Sequence, residues 1–315
     1  MKDYKYIFFT TYAYGEESLY ELEFRTLFGK TPTNKILFSN KNFNPSRSVF
    51  IKERLEVLCR AWSLKELLAK IGELNLNLDG FRINHIRHEE EIHKWVLAIK
   101  SLRGDDFQIN GRIELKKPKF LLGITEINGT WYFGNLAISM DHCKEHNEKP
   151  YSYSSSCGVR VARVMANLAI VNDFSKTVID PCCGAGTVLL ELLSIGAKTF
   201  GNEIREKVVK MANQNLKHFG YDLEVTNGDI SQINDLYDVA ILDIPYGLFT
   251  EIDSELQVHI LRETYRIANR LILLTNRDLV NIVESVGFEI VDQGYVDKGK
   301  LRRHVLICQK VSNCL

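Results

Sequence analysis

At 315 residues the chain is longer than one core ordinarily needs, and 45% hydrophobic with 25% charged residues excludes a disordered protein and predicts two or three compact units. Forty basic side chains balance forty acidic ones, so the net field names no polyanionic or membrane partner. No apolar run reaches the roughly 18 residues of a bilayer span, the N-terminal MKDYKYIFFTTYAYGEE lacks the clean apolar stretch of a signal peptide, and the seven cysteines are irregularly spaced, so a reduced, cytoplasmic protein is expected.

In chain order, YKYIFFTTYAY has the aromatic and β-branched content of a strand, and a helix is expected around Glu16 to Phe28. A helical stretch follows near Ser63 to Leu74, then a strand around Gly80 to His85, a helix at Glu89 to Ser101, and strands at Arg112 to Leu115 and Phe120 to Ile127. Asn128-Gly129 ahead of TWYFG predicts a type I′ hairpin turn into a further strand. Residues 1–140 therefore read as an α+β region of two small modules in series. Polar residues, a proline and four serines interrupt the periodicity over Asp141 to Ser156, the expected linker.

Residues 157–315 alternate helix and strand. Helices are expected at Val159 to Ile170, Thr187 to Ser194, Glu206 to Phe219, Ser254 to Ala268 and Asp278 to Ser285. Strands are expected at Thr177 to Ile179, Thr199 to Asn202, Leu223 to Thr226, Val239 to Asp243, Leu271 to Thr275, Glu289 to Val296 and Leu301 to Gln309. Such alternation requires an α/β, doubly wound, mainly parallel sheet. Only DKGK joins the last two strands, too short for a crossover, so they must run antiparallel.

Four segments carry chemistry. In VIDPCCGAGTVLLELL, an apolar strand ends at Asp180 and a turn containing Gly184 and Gly186 enters a helix at Thr187; the missing Cβ atoms leave room for a ligand against the backbone. Leu189 stands where a nicotinamide-binding turn needs its third glycine, and Asp180 would repel a pyrophosphate. The pair suits a cationic ligand bearing a sulfonium and an ammonium. About twenty residues on, Glu203 ends the next strand, where an acid reaches both hydroxyls of a ribose. NGDI sets Asp229 and Ile230 after another strand, Asp229 being placed either to accept from an adenine amine or to make an ordinary turn. In DVAILDIPYGLF, Asp243 ends a strand at the carboxyl edge, Pro245 fixes the turn, and Tyr246 can stack on a base. Acceptors on Asp243 and the Ile244 carbonyl would aim the delocalised lone pair of an exocyclic amine, and Asp243 could take its proton.

Together these motifs resemble the class I methyltransferases, and the pair D-P-C-C-G-A-G-T with D-I-P-Y-G is similar to the N2-guanosine RNA methyltransferases that join a THUMP domain to such a catalytic domain. Asp180, Pro181, Cys183, Gly184, Gly186 and Thr187 match the first motif; Asp243, Pro245, Tyr246 and Gly247 match the second, with Ile244 departing from its first proline. The resemblance implies a Rossmann-like sheet of seven strands with an antiparallel terminal hairpin over 157–315, a THUMP-like, RNA-binding region over roughly 50–140, and S-adenosylmethionine as cofactor, leaving S-adenosylhomocysteine. It implies cofactor contacts at Asp180, Cys183, Gly184, Gly186, Thr187, Glu203, Asp229 and Ile230, a pocket lined by Ser154 to Ser156, and catalysis by Asp243, Pro245 and Tyr246.

The leading expectation is methylation of guanosine N2 in RNA, with tRNA as substrate. Guanine presents two adjacent donors to one carboxylate, whereas adenine pairs a donor with an acceptor. An adenine-N6 methyltransferase acting on DNA or ribosomal RNA and a non-catalytic RNA-binding scaffold remain open alternatives. No metal site is expected: His88 and His93 are spaced wrongly for one helix face, and His142, Cys143 and His146 lack a second ligand pair. Two basic clusters, Lys298 to His304 and Lys116 to Lys119, are equally readable as phosphate contacts and as solvated turns.

Overall fold

The computed structural model describes residues 3–87, 109–140, 142–152, 157–244, 254–299 and 301–311. In chain order these form β1 (Tyr6–Thr10), α1 (Glu17–Phe28), β2 (Ile36–Ser39), β3 (Ile51–Ala61), α2 (Leu64–Glu73), β4 (Phe81–His85), β5 (Phe120–Ile127), β6 (Thr130–Ile138), α3 (Val159–Ile170), β7 (Thr177–Asp180), α4 (Thr187–Ser194), β8 (Lys198–Glu203), α5 (Glu206–His218), β9 (Thr226–Asn227), β10 (Tyr237–Asp243), α6 (Ser254–Ile267), β11 (Ala268–Thr275), α7 (Val280–Val286), β12 (Phe288–Lys298) and β13 (Leu301–Lys310). They divide into two compact units, one of residues 1–11, 32–46 and 50–140, the other of 12–31, 47–49 and 141–315.

The first unit is one continuous six-stranded sheet, ordered β2-β1-β3-β6-β5-β4, in place of the two modules in series expected from sequence. Two strands absent from the sequence reading account for the difference. β2 lies beside β1, and the eleven-residue β3 pairs β1 on one side and β6 on the other, joining the halves. Alternation along the strands sends Leu122, Ile124 and Phe133 to one apolar cluster and Ile7, Leu55, Tyr132 and Leu136 to another. Ser63 caps α2, its hydroxyl accepting from the Glu66 N–H at 3.2 Å. Asn128 and Gly129 both take positive φ, as a type I′ turn requires. The strand expected at Arg112 to Leu115 is only a single parallel bridge from Ile113 to Phe81, whose other side is taken by Phe120 of β5. The helix expected at Glu89 to Ser101 lies outside the described residues.

The second unit holds a seven-stranded sheet ordered β12-β13-β11-β10-β7-β8-β9, parallel except for β13, which runs antiparallel to both β11 and β12. This is the Rossmann-like α/β sheet with its terminal hairpin, and the expected helices and strands fall within a few residues of the observed ones. β9 shrinks to two residues. The buried faces of β10, β11 and β13 pack with α6 and α7 in the main core, around Leu242, Leu261, Leu271 and Phe288.

Helix α1 belongs to this second unit although it lies far upstream of the expected linker. Glu16 takes the Arg160 guanidinium in a two-pronged pair at 2.8 and 2.7 Å, and Arg25 reaches Asp292 on β12 at 3.0 Å. Between them, buried Glu23 accepts from Asn167 Nδ2 at 2.8 Å and from the Ser48 hydroxyl. Leu19, Leu22 and Phe24 complete the apolar face that α1 buries. No helix among the described residues is long and apolar enough to cross a membrane.

Candidate active site

Adjacent parallel strands β8, β7 and β10 end in Glu203, Asp180 and Asp243 at one carboxyl edge of the sheet. β7 and β10 are mostly buried apolar runs, so their carboxylates fall where the chain leaves the core, at the edge where ligands of such sheets bind. Asp180 is 2% exposed and Glu203 4%. Burial, reinforced by the charges of Asp243 and Glu203, holds Asp180 well above the ordinary carboxylate range, opposed by the Cys182 N–H at 3.2 Å.

Between these strand ends runs the glycine turn. Gly184 has φ +53° and a Cβ placed on it would meet nothing within 4 Å, so open room stands over the backbone there. The Gly184 N–H donates to Glu203 Oε2 at 3.1 Å, while Oε1 accepts from the backbone N–H and Nε of Arg205, each at 3.0 Å. Gly186, also left-handed, leads into α4. Thr187 opens that helix, and its buried Oγ1 has no hydrogen-bond partner among the described residues. Cys183 is buried beside the turn and burial pushes its thiol up, so it is no thiolate nucleophile.

Two buried asparagines, unremarked in the sequence reading, hold the turn from behind. Asn202 donates to the carbonyls of Pro181 at 3.2 Å and Gly228 at 2.9 Å. Asn215 on α5 donates to Ala185 O at 2.8 Å and clasps Tyr151 through both its N–H and its carbonyl, at 2.9 and 2.8 Å. For Asn215 the available signal was an amide on the helix face that Val208, Val209, Ala212 and Leu216 make apolar.

Asp229 caps a short 3-10 turn, Ile230–Gln232: its Oδ1 takes the Ser231 N–H at 2.9 Å and hydroxyl at 2.6 Å, and these bonds hold its carboxyl below the usual range. His259 Nε2 stands 3.5 Å from the same oxygen. The Ile230 side chain is in the core with Leu242. Asp243 is gripped from two sides, its Oδ2 accepting from the Cys157 N–H at 2.9 Å and its Oδ1 from the Arg303 guanidinium at 2.5 Å. Burial lifts Asp243 to about 6 against the pull of Arg303 and the Cys157 N–H. Ile244 is buried, its N–H bonded to Leu274 O at 3.2 Å. Pro245, Tyr246, Gly247 and Ser154 to Ser156 lie outside the described residues.

The other sequence clusters resolve differently. His146 Nδ1 lies 2.6 Å from Glu191, whose other oxygen meets Arg163, so this histidine belongs to a closed ionic cluster. The segment containing His88 and His93 is outside the described residues. In the hairpin, Arg302 pairs with Asp297 while Arg303 turns inward, a division the sequence reading of one basic cluster did not make.

Residues 147–289, spanning all three carboxylates and the glycine turn, match the family described as RMKL-like, methyltransferase domain. Among similar curated proteins, the tRNA (guanine(10)-N2)-dimethyltransferase of Methanothermobacter thermautotrophicus is 28% identical over 159 residues, 48% of this chain and 47% of that protein. The protein of the same name from Pyrococcus abyssi is 26% identical over 201 residues, 58% of this chain and 60% of its own length. The chain thus spans about half the length of these relatives. In fold, the crystal structure of TrmN from Thermus thermophilus is similar over 97% of this chain and 99% of its own, with a TM-score of 0.50 and 16% identity.

The cofactor that this similarity implies is S-adenosylmethionine, and the residues present fit it. Open room stands over the Gly184 backbone, and the buried Thr187 Oγ1 at the start of the following helix lacks a partner among the described residues. Asp180, buried beside the like charges of Asp243 and Glu203, is the group that a ligand bearing a sulfonium and an ammonium would relieve.

Proposed function

We propose that this protein transfers a methyl group from S-adenosylmethionine to the exocyclic N2 amine of a guanosine in RNA, with tRNA as the RNA. The observation that carries the reading is Asp243, a part-buried carboxylate one strand from Asp180 and held at both oxygens. Arg303 engages one oxygen and the Cys157 N–H the other, and a carboxylate offers about four acceptor sites, so its two oxygens can still meet the adjacent N1–H and N2 amine donors of guanine. Both curated relatives described above bear a guanine-N2 name, which supports the same choice.

S-adenosylmethionine supplies an activated methyl group. Gly184, Gly186 and Thr187 receive the donor against the backbone, Cys183 packs beside the turn, and Asp180 compensates the donor's positive charge. Glu203 takes the ribose hydroxyls, and Asp229, with the Ile230 backbone, meets the adenine. Asp243 accepts from the target amine, turning its lone pair toward the methyl group, and takes up the proton released on transfer. The Ile244 carbonyl offers the second acceptor, and Pro245 and Tyr246 complete the loop, Tyr246 stacking on the base.

The six-stranded unit is assigned the RNA grip of a THUMP-like region, with residues 141–156 linking it to the transferase. The reaction is placed in the cytoplasm, where the free cysteines stay reduced. Purified protein incubated with methyl-labelled donor and bulk tRNA, followed by digestion to nucleosides, tests the reading. Label in N2-methylguanosine supports it; label in N6-methyladenosine, or no incorporation, overturns it.

A further inference from the structure

We infer that Arg303 is a positioning residue of this site, fixing the orientation and charge of the Asp243 carboxylate from the terminal hairpin. The inference rests on the methyl-transfer reading of Asp243.

The residue sits in a basic run, Arg302-Arg303-His304, whose members face opposite ways. Strand alternation sends Arg302 outward, where it pairs with Asp297 at 2.7 and 2.9 Å and lies 3.8 Å over the Tyr295 ring. Arg303 turns to the interior, is 5% exposed, and donates to Asp243 Oδ1. A guanidinium this deep carries a desolvation cost that a purely structural role would not need, because an apolar residue would fill the space at no such cost.

Among the described residues, the groups facing Asp243 come from three elements besides its own strand. Arg303 approaches from β13. Cys157 approaches from the segment entering α3, through its N–H and its buried thiol, with Lys149 acting on that thiol. Asp180 faces it from β7 as a like charge. Among the described residues, Arg303 is therefore the cation in direct contact that offsets both burial and Asp180. With Oδ1 fixed by Arg303 and Oδ2 by Cys157, the carboxylate plane has little freedom to rotate, and the unused lone pairs keep one direction. Lysine would supply the charge without the planar fork.

The test uses the full chain with R303M, R303K and D243N, following melting temperature, donor affinity, and the rate of methyl transfer to bulk tRNA against pH. For R303M, kcat is expected to fall roughly 100-fold or more, KM for tRNA and donor affinity to stay near wild type, and the acid limb of the profile to move to higher pH. R303K should return the acid limb toward wild type while remaining about 10-fold slow. If R303M does not fold, R303K carries the test: a wild-type rate and profile overturns the inference. An R303M protein with wild-type rate and acid limb, or with donor binding lost in step with rate, overturns it as well. D243N separates the two claims: full activity there removes Asp243 from the reaction whatever Arg303 does. In the D243N background R303M should add no further loss, and an additive loss overturns the coupling.

Discussion

The backbone N–H of Gly184 donates to Glu203 Oε2 at 3.1 Å across nineteen residues of sequence, tying the glycine turn to the neighbouring strand end. One carboxylate thus shapes the turn and faces the room above it. E203A should weaken donor binding on the order of 10- to 100-fold, losing the acceptors and loosening the turn together. E203Q should fall between, since its amide oxygen keeps the Gly184 bond. Titration of the donor by calorimetry measures both, and unchanged affinity in E203A would remove Glu203 from the site.

At Gly184 itself, alanine meets no protein atom, so a loss cannot come from a clash within the chain. Its φ of +53° costs an L-residue about 1 kcal/mol, a modest fall in melting temperature. Donor affinity should fall much further, at least roughly 10-fold, because the methyl group enters the donor's room. Equal, small effects on both would show that nothing packs there.

In the proposed reaction Asp243 must be ionised, and burial lifts its carboxyl to about 6. The rate should climb as pH rises through about 6 and flatten above, since the protonated acid offers a donor where the amine needs an acceptor. D243A should lower kcat by about 1,000-fold with donor affinity nearly intact. A pH-independent rate across that range contradicts the assignment.

Glu23 provides a separate signal in stability. Burial lifts its carboxyl to about 7 from 4.5, opposed by Ser48, Asn167 and the charges of Arg47 and Arg163. A raised folded value means the stabilisation is full below the unfolded value and is lost as pH rises through about 7. Wild-type protein should therefore lose on the order of 2–3 kcal/mol between pH 4.5 and pH 8 relative to E23Q. Melting curves at the two ends of that range check the sign, and parallel curves refute it.

The loop-and-strand grammar of the second unit was legible because each element is local: DPCCGAG names a strand end, a turn and a helix start within ten residues. The sheet edge followed from alternation and from the short DKGK link. What escaped is what depends on distant partners. Arg303 could not be told from Arg302 without the register that pairs β13 with β11, and Asn215 looks like any helix-end amide until Ala185 and Tyr151 meet it. Asp229 was ambiguous in sequence for a good reason: it does cap a turn, with one oxygen fully engaged. In the first unit β3 was missed although Ile51, Leu55 and Ala61 are buried along it, because charged residues crowd its outward face. The reach of α1 into the second unit leaves no local trace.

That reach carries a cost in time. Arg25 finds Asp292 267 residues later, and Ser18 finds Tyr295 277 residues later. A chain emerging from the ribosome exposes the apolar face of α1 long before β12 exists to receive it. Contacts of such sequence separation close slowly, so the nascent chain must keep Leu19, Leu22 and Phe24 from other company meanwhile. Expression of this protein should accordingly be sensitive to chaperone supply and to translation rate in a way that neither sheet, judged on its own, would foretell.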